Sequence, residues 1–278
     1  MLEYPSHTVL IVDDLEVNIL LSKTLFRLVR PEANVISARS GESGLKIFKE
    51  YNPDLIITDI RMPGGMNGFE LIEQVRLSEG GSRPYIVALS ASLRSDEVSF
   101  DEYDRSKADL ILEKPLDKQT VHNILKDIDN LSKKDRFKPE IVYYSDKNDL
   151  DTHFNFKEFS KRLGGEKTIL EEVFNTAIKS LNEDVEKIRS AIESDELDFN
   201  PNTTKTIKEC LHRLSGMSCI VGFTKLFDIS KHISSTFHQQ KSLNLPEMIE
   251  TLYQEQRILN SLSLDKVHKK TNKVRIQV

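Results

Sequence analysis

The sequence has little cysteine, no long apolar run and no signal-peptide pattern. Its 278 residues include two cysteines, Cys210 and Cys219, and so low a content fits a reducing compartment. No apolar run approaches the roughly 20 residues that a membrane-spanning helix needs. The first residues lack the basic start and apolar core of a signal peptide. We therefore expect a cytoplasmic protein with no membrane span.

A large positive charge is also absent. The chain carries 39 Lys and Arg against 44 Asp and Glu, a formal net charge of −5, and this argues against a general nucleic-acid-binding protein. The hydrophobic share of 38% and the charged share of 30% are ordinary for a soluble protein with apolar cores. The length suggests about two domains.

Five polar residues in the first half directly follow or end short apolar runs. The runs TVLIV, DLIIT, YIVAL and LILE lead into Asp13-Asp14, Asp59, Ser90 and Lys114. Helical stretches separate them, so the pattern predicts a parallel sheet, whose carboxyl ends meet in one crevice. Three carboxylates, a hydroxyl and an ammonium group are therefore expected together. Such oxygen-rich clusters hold Mg²⁺, which brings phosphate with it.

The motifs around these residues resemble the receiver domain of two-component response regulators. They are VDD at 12–14, TDIRMP at 58–63, Ser90-Ala91 and Lys114-Pro115. The resemblance implies a flavodoxin-like, doubly wound α/β domain with five parallel strands, which we place at residues 1–131. It also implies a cis bond between Lys114 and Pro115.

By the same resemblance, Asp59 accepts a phosphoryl group from a phosphohistidine. The resemblance implies that Mg²⁺ is bound directly by Asp14, directly or through water by Asp13, and by the carbonyl of Arg61. Attack on a phosphoryl group that is already negative requires such a cation, because charge accumulates on the equatorial oxygens.

Two further residues complete the set that the resemblance implies. Ser90 is expected to bond a phosphoryl oxygen, and Lys114 is expected to pair with the Asp59 carboxylate or its phosphate. The segment between them is long and charged, so we expect its helix to be irregular. The loop Met62–Gly68 is one residue longer than in most receivers, and its glycines are expected to let it bulge outwards.

The second half of the chain has a different character. We interpret residues 132–153 as a linker, although its IVYY could pack locally or form an edge strand. From 154 to 262 the apolar residues repeat with a helical period, and this predicts an antiparallel helical bundle. The last segment, 263–278, is expected to be a basic flexible tail.

The segment ECLHRLSGMSCIVGF at 209–223 resembles the active helix of histidine-containing phosphotransfer (HPt) domains. The matching residues are His212, Gly216 and Gly222, with Ser215 where the family usually has lysine. The resemblance implies an all-α, HPt-type four-helix bundle at 154–262. In it His212 accepts phosphate and passes it between aspartates.

A positive charge beside the phosphohistidine is expected from another residue, since Ser215 cannot supply it. Lys208, one helical turn before His212, and Arg213 are the two candidates.

The two resemblances together predict a phosphorelay protein of two-component signal transduction. The sequence shows no Asp-x-Gly-x-Gly nucleotide box and no P-loop, so it predicts no kinase activity of its own. The expected partners are an upstream histidine kinase and another receiver domain.

Two alternatives stay open at this stage. The chain could be the C-terminal part of a hybrid sensor histidine kinase. It could also be an interaction module in which phosphorylation of Asp59 exposes or masks the bundle while His212 carries no phosphate.

Overall fold

The structure is a computed structural model, and its chain falls into two compact units, Met1–Asp146 and Lys147–Val278. The residues that it describes are 7–78, 84–90, 108–130, 140–142, 153–193, 200–238 and 245–264. The irregular helix expected between Ser90 and Lys114 and the basic tail from residue 265 onwards lie outside these ranges.

The first unit is built on a parallel sheet, in which the described strands have the order β2-β1-β3-β4-β5-β6. The strands are β1 Thr8–Val12, β2 Asn34–Ala38, β3 Leu55–Asp59, β4 Tyr85–Ser90, β5 Leu110–Glu113 and β6 Glu140–Val142. The strand order reverses between β1 and β3, and in doubly wound sheets ligands bind at that point, beyond the carboxyl ends of the strands. The predicted α/β class is confirmed.

Helices flank this sheet. They are α1 Glu16–Val29, α2 Gly41–Tyr51, α3 Gly68–Leu77 and α4 Lys118–Asn130. Contacts pair α1 with α4 and α2 with α3, and the strands β1, β3, β4 and β5 are largely buried. Strands covered on both faces read as continuous apolar runs, which is why the runs could be recognised in the sequence.

Strand β6 lies within the segment interpreted as a linker. Residues 140–142 pair in parallel with Leu110–Leu112 of β5. The edge-strand alternative for this segment is therefore confirmed for these residues, and the expected five strands gain a sixth at the edge.

An ion-pair cluster at the other end of the sheet fixes α4. Asp129 near its end accepts hydrogen bonds from Arg30 Nη1 at 3.0 Å and His7 Nε2 at 2.8 Å. Arg30 and His7 are buried. The hydrogen bonds from Arg30, followed by that from His7, hold the pKa of Asp129 below its usual value. The cluster ties the last helix of the first unit to α1 and to the start of the sheet.

The second unit is entirely helical in its described residues, as the sequence predicted. Its helices are α5 Phe156–Arg162, α6 Lys167–Glu193, α7 Pro201–Val221, α8 Thr224–His238 and α9 Leu245–Ser261. At one end, the ring of Phe154 lies 5.3 Å from that of Phe174, 5.5 Å from that of Phe223 and 5.7 Å from that of Phe159. This aromatic cluster joins α5, α6 and the α7–α8 turn.

Helix α7 is held at both ends. Asn200 caps its start, accepting from the backbone N–H of Asn202 at 2.9 Å and of Thr203 at 3.0 Å. Gly222 ends it with a φ of +84°, and a Cβ there would lie 3.0 Å from the Asn155 carbonyl oxygen. Glycine is thus required at 222 by both its conformation and the close approach of the backbone.

A buried ion pair also fixes α7 against α6. Arg213 Nε donates to Asp184 Oδ1 at 3.1 Å and to Oδ2 at 3.2 Å, and the Asp184 side chain is 5% exposed. Burial, and then the nearby Asp184, raise the pKa of the Cys210 thiol to about 11. Cys210 and Cys219 both lie on α7, and neither forms a disulfide bond. Within the described ranges, every helix is too short or too polar to cross a membrane.

Candidate functional site at the carboxyl edge of the sheet

The sheet brings three carboxylates together. Asp13 and Asp14 directly follow β1, and Asp59 ends the neighbouring parallel strand β3. One oxygen of each carboxylate lies within 4.8 Å of an oxygen of the others. Asp13 and Asp59 are buried, whereas Asp14 is partly exposed. The result is an acidic pocket that opens to solvent on the Asp14 side.

Lys114, just beyond β5, reaches into this pocket. Its Nζ lies 2.8 Å from Asp13 Oδ2 and 2.8 Å from Asp59 Oδ2. Its burial would lower the pKa of the ammonium group, but Asp13 and Asp59 outweigh that effect, so the pKa is raised and the lysine is charged. The Lys114–Pro115 peptide bond is cis, as the resemblance implied.

Asp13 is the most heavily hydrogen-bonded of the three carboxylates. Its Oδ1 accepts from the backbone N–H of Leu15 at 2.9 Å and its Oδ2 from Lys114. Asn18 Nδ2 lies 2.8 Å from Oδ1 and 2.9 Å from Oδ2. Burial, opposed by Lys114 and reinforced by Asp59, raises the pKa of Asp13. The contact with Asn18 was not predicted from the sequence, and a helix start directly after β1 makes it possible.

These residues fit a magnesium ion. Three carboxylates face one ammonium group, so the pocket is short of positive charge, and carboxylate oxygens are the ligands that Mg²⁺ takes in proteins. Asp59 also accepts from the backbone N–H of Arg61 at 3.2 Å. The expectation that the Arg61 carbonyl binds the ion stays a prediction.

Ser90 ends β4 and is buried beside the pocket. Its carbonyl oxygen accepts from the backbone N–H of Lys114 at 2.7 Å. The parallel pairing of β4 with β5 therefore sets the positions of both residues. The role of the Ser90 hydroxyl towards a phosphoryl oxygen stays a prediction.

The long loop after Asp59 is exposed from Pro63 to Gly65, with open space around Gly64, as its glycines led us to expect, but its far end is tethered. The Glu42 carboxylate, in the first turn of α2, accepts from the backbone N–H of Met66 at 2.7 Å. This bond is also the main reason why the pKa of Glu42 is lowered. Gly68 then returns the loop to the sheet, where a Cβ would overlap the carbonyl oxygen of Asp59. The end of the loop is thus tethered to α2.

His212 lies on α7 of the second unit and is partly exposed. Lys208, one turn before it, is also partly exposed, while Ser215 and Gly216, one turn after it, are buried. Arg213 is engaged by Asp184. Of the two cations considered for His212, Lys208 is therefore the better placed.

Comparison with known families assigns both units. Residues 9–126 match the family model of the response regulator receiver domain, and residues 172–263 match that of the Hpt domain. The chain is a receiver domain followed by an HPt domain. The matched receiver segment contains Asp13, Asp14, Asp59 and Lys114, and the matched HPt segment contains His212.

Several similar proteins are sensor proteins. The chain is 36% identical over 94 residues to the virulence sensor protein BvgS of Bordetella bronchiseptica, across 32% of the chain and 7% of that protein. The Escherichia coli sensor protein EvgS is 25% identical over 250 residues, across 88% of the chain and 18% of EvgS. The chain thus spans less than a fifth of the length of either protein.

Solved structures resemble the receiver domain. One is a putative response regulator from Chloroflexus aurantiacus, which is 27% identical with a TM-score of 0.38, across 45% of this chain and 98% of that one.

Receiver and HPt domains are the parts between which two-component phosphorelays move phosphate. The presence of both, together with the similarity to sensor proteins, places the chain in two-component signal transduction.

Proposed function

We propose that Asp59 is the phosphoryl acceptor of the receiver domain and that His212 is the phosphoryl carrier of the HPt domain. The observation that carries this proposal is the setting of Asp59. Its buried carboxylate lies 2.8 Å from the Lys114 ammonium group and shares a pocket with Asp13 and Asp14. A carboxylate among other carboxylates and one cation suits a group that must bind metal and receive phosphate.

The transfer of the phosphoryl group to Asp59 is a simple displacement. A carboxylate oxygen attacks the phosphorus of a phosphohistidine, the new P–O bond forms, and the P–N bond breaks. The donor imidazole leaves with the electron pair, and an acyl phosphate remains on Asp59. Lys114 offsets the negative charge that accumulates on the phosphoryl oxygens, and Ser90 donates a hydrogen bond to one of them.

Mg²⁺ is the metal that we assign to the pocket, where it would neutralise charge on the phosphoryl oxygens. Asp14, Asp59 and the carbonyl of Arg61 would hold it. Asp13 would face the ion directly or through water, with its carboxylate held in place by Leu15, Asn18 and Lys114.

His212 would carry out the same chemistry with nitrogen as the nucleophile. A neutral ring nitrogen attacks an aspartyl phosphate, the P–N bond forms, and the aspartate leaves as a carboxylate. The reference pKa of histidine, near 6.5, keeps most imidazoles neutral at about pH 7. Lys208 would supply positive charge beside the phosphorylated ring.

The partners follow from this chemistry. A histidine kinase supplies the phosphohistidine, and a second receiver exchanges phosphate with His212. The similarity to EvgS extends over 88% of the chain, and this favours a second possibility, that the chain is one portion of a hybrid sensor kinase. A full-length transcript with a kinase domain encoded before residue 1 would support that possibility, and a transcript without one would exclude it.

The role of Asp59 as phosphoryl acceptor is tested by labelling with a small acyl-phosphate donor. Wild-type chain should gain base-labile phosphate only when Mg²⁺ is present. Asp59→Asn, which is nearly isosteric but not nucleophilic, should gain none, whereas His212→Gln should label as wild type. Equal labelling of Asp59→Asn would overturn the assignment.

A further inference from the structure

Asn18 combines two unusual features. It lies in the first turn of α1 with only 4% of its surface exposed. Its Nδ2 is within 2.9 Å of both oxygens of the Asp13 carboxylate. Its Oδ1 is buried and has no hydrogen-bond partner. Burial of the unpaired Oδ1 therefore costs free energy, whereas Nδ2 faces the acidic pocket.

That penalty argues against a purely structural role. A buried acceptor without a partner destabilises the folded state, and an apolar residue of similar size would avoid the cost. The two bonds to Asp13 are the compensation that the structure shows. Exceptions of this kind in an otherwise satisfied interior are expected at functional sites.

The contacts of Asp13 show what Asn18 does there. Lys114 bonds only Oδ2 of Asp13, and it is shared with Asp59 at the same distance of 2.8 Å. Asn18 spans both oxygens, so it resists rotation of the carboxylate about its Cβ–Cγ bond. Without Asn18, the Asp13 carboxylate would be held only by the Leu15 N–H and by Lys114, which also bonds Asp59.

We propose that Asn18 is a positioning residue of the metal site, whose carboxamide fixes the orientation in which Asp13 faces Mg²⁺. The inference rests on the proposed magnesium site. Groups that orient metal-binding carboxylates change metal affinity by about 10- to 100-fold when they are removed. We expect an effect of that size on the dissociation constant for Mg²⁺ and a slower phosphorylation of Asp59 at limiting Mg²⁺.

The test measures Mg²⁺ binding by titration calorimetry on the full chain, together with the melting temperature in metal-free buffer. Asn18→Leu removes the donor and the orphaned acceptor at nearly constant volume. It should raise the dissociation constant at least about 10-fold without lowering the metal-free melting temperature. Asn18→Ala serves as a second variant should the leucine side chain disturb folding, and it should weaken Mg²⁺ binding as well.

Two controls separate the possible outcomes. Thr24→Val changes a buried polar residue of the same helix, away from the pocket, and should leave Mg²⁺ binding as in wild type. Asp14→Ala should abolish binding. If Asp14→Ala binds Mg²⁺ normally, the metal site itself is wrong. If Asp14→Ala fails to bind while both Asn18 variants bind as wild type does, only the role of Asn18 is overturned.

A purely structural role for Asn18 predicts another result. In that case the metal-free melting temperature of the variants would fall and their Mg²⁺ dissociation constant would not change. That outcome would also overturn the inference.

Discussion

At the scale of single residues, the receiver pocket is a cluster of opposed charges. Asp13, Asp14 and Asp59 repel one another, and Lys114 neutralises one charge of the three. The residue types and their places at strand ends were evident from the sequence. The four bonds that hold Asp13 were not, because they depend on where the first turn of α1 directs Asn18.

Removing one metal-binding carboxylate tests this balance. Asp14→Ala should abolish Mg²⁺ binding and leave the metal-free melting temperature unchanged or higher, because two carboxylates repel less than three. Calorimetric titration and thermal unfolding in chelator measure the two effects. A clear drop of the metal-free melting temperature would show that Asp14 stabilises the fold by some other contact.

At the scale of elements, strands were easier to predict than the contacts that fix helices. The central strands of the receiver read as unbroken apolar runs, and the helices of the bundle follow a 3.6-residue period. In contrast, nothing in the sequence signalled that Arg213 would bond Asp184, which lies 29 positions earlier. Long-range ion pairs depend on how two helices are rotated against each other, and a local pattern does not contain that information.

The Asp129 cluster predicts a pH-dependent stability. Because Arg30 and His7 lower its pKa in the folded state, the Asp129 carboxylate stabilises the fold above its unfolded pKa, near 3.9. That contribution is lost as the pH falls through the lower folded pKa. Asp129→Asn should therefore cost about 2 kcal/mol at pH 7, and much less once the pH lies below the folded pKa of Asp129.

Urea unfolding of the receiver domain at several pH values measures this cost. The matched control is Asp127→Asn, at an exposed position of the same helix, which should change stability by less than about 0.5 kcal/mol. A cost for Asp129→Asn that stays constant down to the lowest pH would contradict the account.

In the bundle, we expect the largest loss of stability when the Arg213–Asp184 pair is broken. Asp184→Ala leaves a guanidinium that is only 16% exposed without its carboxylate, and breaking such a pair costs about 3–5 kcal/mol. Glu186→Ala, which removes an exposed partner of Arg189 on the same helix, should cost less than about 1 kcal/mol. Chemical denaturation measures the loss of stability in each of the two variants. Equal stability would mean that the buried pair does not fix α7.

At the scale of the whole molecule, the order of the two domains agrees with the proposed transfer of phosphate. The receiver pocket has the groups needed to take up phosphate, and the HPt domain presents a partly exposed histidine on a helix that is fixed at both ends. The domain boundaries at 131, 154 and 262 stay predictions. The sequence pointed to His212 through its glycine companions, whereas the degree of exposure of its ring depends on how α7 packs within the bundle.

We propose that both Asp59 and His212 carry phosphate. The most direct measurement is the chemical stability of phosphate on the full chain after incubation with an extract of its own cells and labelled ATP. Phosphohistidine survives base and is lost in acid, whereas acyl phosphate is lost in base. The account predicts a base-stable pool that disappears in His212→Gln and a base-labile pool that disappears in Asp59→Asn. If His212→Gln retains the base-stable pool, or if wild type never acquires one, His212 is not a carrier, and a receiver that gates an interacting bundle would explain the chain better.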